Sequence, residues 1–342
     1  MMQSSIRGSP LTLLLFAAAF SCGDGALPVS GAGVVRGINA VGDRGVNESV
    51  ATAEGEYVVF RTTGPSASLL VTDGRLTVLR EREGPPLAFA VLNKLNTLLA
   101  FSPLRIDLWS VPALESQGRI EIGEDLAAVI GWDTPLLCAM ESGWAVVSRN
   151  GGIALFDVAS LRQGRSGRCA TTSIRGVAAD PRTRCLVICG DTCAETYDVE
   201  RMRSEATCKL PCKQVGRSVC AADGTAWIAT EDGFLRFDIA SATVVGQTVL
   251  AEEAGSHVRL DLAASGKELV ACCSRFVRRG ECLAVLKIYK IEGEDVVETR
   301  AARVNVGYGV GDVTIIEKEK TVIVGTTRSA FAWHYDGGEK DK

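Results

Sequence analysis

Seven times along this chain, a short apolar segment is followed by a tight polar turn and then by a stronger β-branched or aromatic segment. Clear copies pair Ser49-Val50-Ala51-Thr52 with Tyr57-Val58-Val59-Phe60, and Val313-Thr314-Ile315-Ile316 with Thr321-Val322-Ile323-Val324. With Tyr57, Leu98, Trp144, Leu186, Trp227, Leu269 and Val322 as one marker per copy, the steps are 41, 46, 42, 41, 42 and 53 residues. The last step is long because the sixth copy carries extra residues at 278–281 and 292–298. A unit of this size cannot bury its own apolar face. It must stack on its neighbours, so the repeat constrains the whole architecture.

Several copies continue with a turn and an alternating segment, as in Gly152-Ile153-Ala154-Leu155-Phe156-Asp157 and Gly233-Phe234-Leu235-Arg236-Phe237-Asp238. Alternation of this kind is expected to bury one strand face between units. Thirty-six glycines beside ten prolines suit a turn-rich all-β chain, and no stretch shows long helical periodicity. A period near 42 residues is the length of a four-stranded propeller blade. The predicted fold is therefore all-β: a seven-bladed β-propeller of four-stranded antiparallel blades over residues 33–336. A leader or signal-like segment is expected at 1–32 and a flexible tail at 337–342. The seventh copy ends soon after Trp333 without an outer strand, and residues 33–41 are expected to supply it and so close the ring. A further partial blade from residues 11–30 would raise the number to eight.

In repeat length, strand order and the aromatic-Asp endings Phe156-Asp157, Tyr197-Asp198 and Phe237-Asp238, residues 45–336 resemble the WD-repeat class of propellers. Only two histidines occur, His257 and His334, so that class's Gly-His dipeptide and His-centred hydrogen-bond tetrad are missing. The one Trp-Asp dipeptide, Trp132-Asp133, is not at a blade's third strand. The resemblance implies a divergent member whose loops bind other proteins.

The residues that carry chemistry elsewhere are sparse. Scarce histidine and the lack of GxSxG, HExxH or GxxxxGK[ST] motifs give no catalytic residues, no metal site and no cofactor. Asp107, Asp157, Asp198 and Asp238 recur at one place in the repeat and read as turn and strand-end acceptors. Cys185, Cys189 and Cys193, then Cys208 and Cys212, have permissive zinc spacing. Along an extended strand, however, Cys185 and Cys189 stand about 13 Å apart, so the cysteines read as reduced and mostly buried thiols.

Charge supplies the candidate surfaces. Residues 162–217 hold eleven bases against six acids, +5 in a chain of net charge −4. Arg162, Arg165 and Arg168 open this basic sector, whose fourth-copy loops are expected to face an acidic protein partner. Direct nucleic-acid binding is not expected at this net charge. Phe276-Val277-Arg278-Arg279-Gly280 resembles the Phe-Arg-Arg-Gly signature of the phosphoinositide-binding propellers called PROPPINs, with Val277 intervening. That resemblance implies a membrane-lipid alternative through Arg278 and Arg279. The expected function is a non-enzymatic protein–protein interaction scaffold in the cytoplasm, a subunit of a multiprotein complex. A second alternative comes from residues 1–26: Arg7, an apolar run at 11–20 and small residues after it have signal-peptide form, which would make the chain a secreted or membrane-anchored propeller with a ligand or enzymatic site.

Overall fold

The computed structural model describes residues 29–31, 34–37 and 46–336, interrupted at 52–55, 64–66, 74–76, 93–95, 103–104, 131–133, 141–142, 158–159, 161, 181–183, 213–214, 251–256, 279–280 and 307–308. The 1–26 leader segment, the 337–342 tail and Trp132-Asp133 lie outside the described residues.

Each marker segment is the second strand of an antiparallel sheet. Blade 1 consists of Val46–Ala51, Tyr57–Thr62, Ser68–Asp73 and Val78–Glu83; blade 2 of Ala88–Leu92, Thr97–Ser102, Arg105–Ser110 and Ser116–Glu121. Blade 3 follows with Leu136–Ala139, Gly143–Val147, Gly152–Asp157 and Arg162–Arg168, and blade 4 with Gly176–Asp180, Cys185–Cys189, Cys193–Asp198 and Arg203–Lys209. Blade 5 holds Val215–Ala222, Thr225–Thr230, Gly233–Asp238 and Thr243–Val249. Blade 6 has His257–Leu262, Glu268–Arg278, Glu281–Glu292 and Asp295–Asn305, and blade 7 has Val310–Ile316, Thr321–Thr326 and Ala330–His334. The first strand of each blade touches the first strand of the next, and blade 7 returns to blade 1. Seven blades thus stand around one axis.

Two short N-terminal strands complete the outside. Val34–Gly37 pairs antiparallel with Ala330–His334, Val35 opposite Trp333, as the fourth strand of blade 7. Val29–Gly31 pairs with 302–304 on blade 6, giving that sheet five strands where four are expected from the repeat.

Seven apolar clusters hold the ring, each shared by two neighbouring blades. The second strands show why their sequences are continuous apolar runs rather than the alternation of a one-sided sheet. Val58 and Phe60 enter the cluster with blade 7, whereas Val59 enters the one with blade 2. Likewise Leu186 and Ile188 face blade 3, and Val187 and Cys189 face blade 5. Every second residue serves a different neighbour, so no blade owns a core.

The third strands carry the aromatic-acid ending for two separate reasons. Phe156, Tyr197 and Phe237 are buried against the preceding blade. The acids after them cap the turn into the outer strand: Asp157 accepts from Ser160 N at 2.7 Å, Asp198 from Glu200 N at 2.7 Å and Asp238 from Ser241 N at 2.7 Å. Asp107 instead accepts from Arg105 Nε at 3.0 Å and Arg119 Nε at 2.9 Å. Opposite the same point of the third strand, the outer strand of blades 1, 3, 4, 5 and 6 is bulged by an extra residue. Bulges at exposed edges increase twist and discourage pairing with other chains.

Candidate protein-binding surfaces

The predicted basic sector divides between two blades. Arg162, Arg165 and Arg168 do not belong to loops of the fourth copy; they lie on the exposed outer strand of blade 3, paired with Gly152–Asp157. A strand whose sequence is Arg-Gln-Gly-Arg-Ser-Gly-Arg forms there because only its backbone is needed to extend the sheet, and its arginines blunt the open edge.

Blade 4 neutralises most of its own charge. Arg175 pairs with Asp191 at 2.5 Å, Arg203 with Glu205 at 3.0 Å, and Arg201 with Glu205 at 3.4 Å, while Arg184 pairs with Glu200. The hydrogen bond from Arg203 lowers the Glu205 carboxyl from its ordinary range. Two other acids of the window turn inward. Asp180 is buried and accepts from Gly224 N of blade 5 at 3.1 Å. Glu195 is fully buried and accepts from the backbone N–H of Ala170 at 3.1 Å and Thr171 at 2.7 Å. Three of the sector's five excess charges, those of Arg162, Arg165 and Arg168, therefore sit on the blade 3 edge.

That edge borders a groove of about 760 Å³ along the seam between blades 3 and 4. Leu155, Phe156, Ala179 and Val199 give it apolar walls, with Arg165 and Arg184 among its polar lining. Glu200 holds both arginines, Arg184 through its carboxylate and Arg165 through its backbone carbonyl. The shape and polarity suit an extended segment that places apolar side chains in the groove and acids on the arginines.

Arg278 is not part of this surface: its backbone belongs to blade 6, where it pairs opposite Glu281 at a hairpin end, and Arg279 lies outside the described residues. The cysteines pack as small apolar groups: Cys189 is fully buried, with Cys185, Cys208 and Cys212 against the same blade 4–blade 5 cluster. Burial drives the Cys138 thiol up to about 12 and raises Cys189 further. No disulfide joins the eleven described cysteines, and among the described residues no group of three or more His, Cys, Asp or Glu is placed to hold a metal.

No family model and no curated protein matches the sequence. The fold aligns with a chain of the crystal structure of a mitotic checkpoint complex at TM-score 0.64, over 97% of this chain and 96% of that one. The fold is that of a seven-bladed β-propeller. At 12% identity the likeness extends to the fold alone.

Proposed function

We propose that this propeller is a non-enzymatic, cytoplasmic platform on which other proteins assemble, with Arg162, Arg165, Arg168 and the groove beside them as one docking surface. The observation that carries this reading is the groove itself: apolar walls and arginines held in place on the seam of two rigid blades, a combination suited to a partner segment rather than to bond-breaking chemistry. Likeness to a chain taken from a multiprotein complex supports the same class of function. The packing of many thiols into inter-blade clusters supports a reducing compartment. Val34–Gly37 is read as the latch that closes the ring, on the strength of its pairing with the last strand.

Affinity purification of the tagged full-length chain from its native cell, followed by size-exclusion chromatography, tests the platform. A recurring set of proteins that co-elutes with the chain is expected. Charge reversal at Arg162, Arg165 and Arg168 together is expected to remove at least one member while leaving the melting temperature unchanged. Elution of the wild-type chain alone overturns the reading.

A further inference from the structure

Within a blade, the turns that follow the first and third strands lie at the same end of the sheet. The blade 3–blade 4 groove opens on the face of the ring that carries these turns, since Asp157, Asp180, Arg184 and Glu200 beside them are in its lining. On that face blade 6 departs from its neighbours. In blades 4 and 5 the third and fourth strands stop pairing at Asp198–Arg203 and Asp238–Thr243, level with Cys185 and Thr225 at the start of the second strand. In blade 6 the second strand starts at Glu268, opposite Lys290, yet the third and fourth strands pair on through Ile291–Val296 to Glu292–Asp295. Two further residue pairs carry this hairpin about 7 Å beyond the level at which its neighbours end. Gly293, at φ +63°, closes it in a two-residue turn.

The tip of this hairpin is acidic. Glu292, Glu294 and Asp295 are exposed, and Val297 just below them is 50% exposed. Glu292 pairs with Lys290 at 2.6 Å, whereas Glu294 and Asp295 make no ion pair among the described residues. Val29–Gly31 covers the fourth strand only at 302–304, away from the tip. The groove has the opposite character. Arg165 lines it, and Arg162 stands opposite Asp157 of its lining. Neither arginine makes an ion pair among the described residues, Arg165 donating instead to the Glu200 carbonyl. Apolar walls with unpaired bases on one side of the ring thus match unpaired acids and an exposed valine on the other.

Hairpin and groove cannot meet within one ring, because more than two blades of a closed ring hold them apart. Between two rings they can. Both lie on the same face, so a second ring turned over onto that face brings its hairpin to the first groove and its groove to the first hairpin. That is the reciprocal contact of a closed twofold dimer; features on opposite faces would give an open chain of rings instead. We propose that the chain forms a face-to-face homodimer in which the blade 6 hairpin of each copy enters the blade 3–blade 4 groove of the other. The dimer rests on the reading of the groove as a docking surface and names a second copy as its occupant, which any other protein seated there must displace.

Sedimentation of the purified full-length chain should show a concentration-dependent dimer at about 0.05 M salt that weakens at about 0.5 M, where exposed charges are largely screened. The pair Arg162→Glu, Arg165→Glu and the pair Glu294→Arg, Asp295→Arg should each weaken it by roughly tenfold or more. Mixed together, the two variants should dimerise with each other, because every meeting of groove and hairpin then joins opposite charges again. That recovery also excludes misfolding as the cause of either loss. A chain that stays monomeric at low salt, a dimer that either variant leaves unchanged, or variants that do not recover on mixing overturns the proposal. If the chain is monomeric while reversal of the groove arginines still strips a co-purifying protein, the dimer falls and the docking surface stands. If the dimer forms but the native cell yields no other protein with it, the platform falls and the dimer stands.

Discussion

Tyr197 illustrates how closely neighbouring blades share space. Its ring fills the cluster between blades 3 and 4, its hydroxyl is buried without a hydrogen-bond partner, and that oxygen lies only 2.6 Å from where a side chain on Gly167 would begin. An unsatisfied buried hydroxyl costs about 1–3 kcal/mol, so removing it should help. Tyr197→Phe is expected to stabilise the fold by about 1 kcal/mol, read as a higher denaturation midpoint with unchanged m-value. Gly167→Ala should destabilise it by about 1–3 kcal/mol through overpacking. The two changes should couple, because the oxygen that the added methyl would strike is absent in the phenylalanine variant. Additive effects would show that Gly167 matters for another reason. The tyrosine is identifiable from sequence as part of an aromatic-Asp ending; its missing partner is not, since it depends on a glycine thirty residues away on a neighbouring blade.

Strands differ in how openly the sequence declares them, and burial explains the difference. The second strands are conspicuous because both faces are covered, leaving continuous apolar runs such as Leu98-Leu99-Ala100-Phe101. Outer strands have one edge and much of both faces in water, so Val78–Glu83 and Arg162–Arg168 carry sequences that composition would assign to loops. For that reason the arginines of blade 3 read as loop residues of the next copy, and the long strands of blade 6 read as insertions. Period and blade number survive such errors because they rest on the covered strands alone. The N-terminal strands make a prediction at this scale. Removing residues 1–32 should expose the amides that Val29–Gly31 covers on Asp295–Asn305 and leave blade 7 protected. Removing residues 1–40 should additionally deprotect Ala330–His334 and cost about 2–4 kcal/mol, roughly 1 kcal/mol for each ladder hydrogen bond lost. Hydrogen exchange compared between the two truncations checks the assignment, and equal protection of blade 7 in both would remove the latch.

The ring as a whole is held by apolar seams, but the seams on either side of blade 7 also depend on two acids. Asp261 of blade 6 accepts from Ile315 N of blade 7 at 2.9 Å, and Asp312 of blade 7 accepts from Ser49 N of blade 1 at 2.7 Å. Around them, Arg259 donates to the Gly311 carbonyl at 2.8 Å and Ser49 Oγ lies 2.6 Å from Thr314 Oγ1. Desolvation dominates: it lifts Asp261 to about 7, with the Asp312 charge adding to the rise, and lifts Asp312 to about 6 although backbone hydrogen bonds and Arg259 oppose it. Both folded-state values exceed the ordinary 3.8, so between about pH 4 and pH 7 the folded ring holds protons that the unfolded chain has released. Their contribution to stability is therefore complete below about pH 4 and is lost as pH rises through 6 and 7, by up to about 1 kcal/mol per pH unit for each group. The difference in melting temperature between wild type and the double variant Asp261→Asn, Asp312→Asn should accordingly change across that window, with the variant gaining on the wild type as pH rises. A difference constant from pH 4 to pH 8 would mean that both acids are ionised in the folded ring. Close packing at the same place gives an independent check. A side chain on Gly325 of blade 7 would begin 2.6 Å from Val46 Cγ1 and 3.1 Å from the Val46 carbonyl of blade 1. Gly325→Ala should cost about 1–3 kcal/mol by forcing these blades apart. Because each core is shared, this loss should appear as one lowered cooperative transition, not as selective melting of blade 7; two separate transitions would show that a blade can unfold without its neighbours.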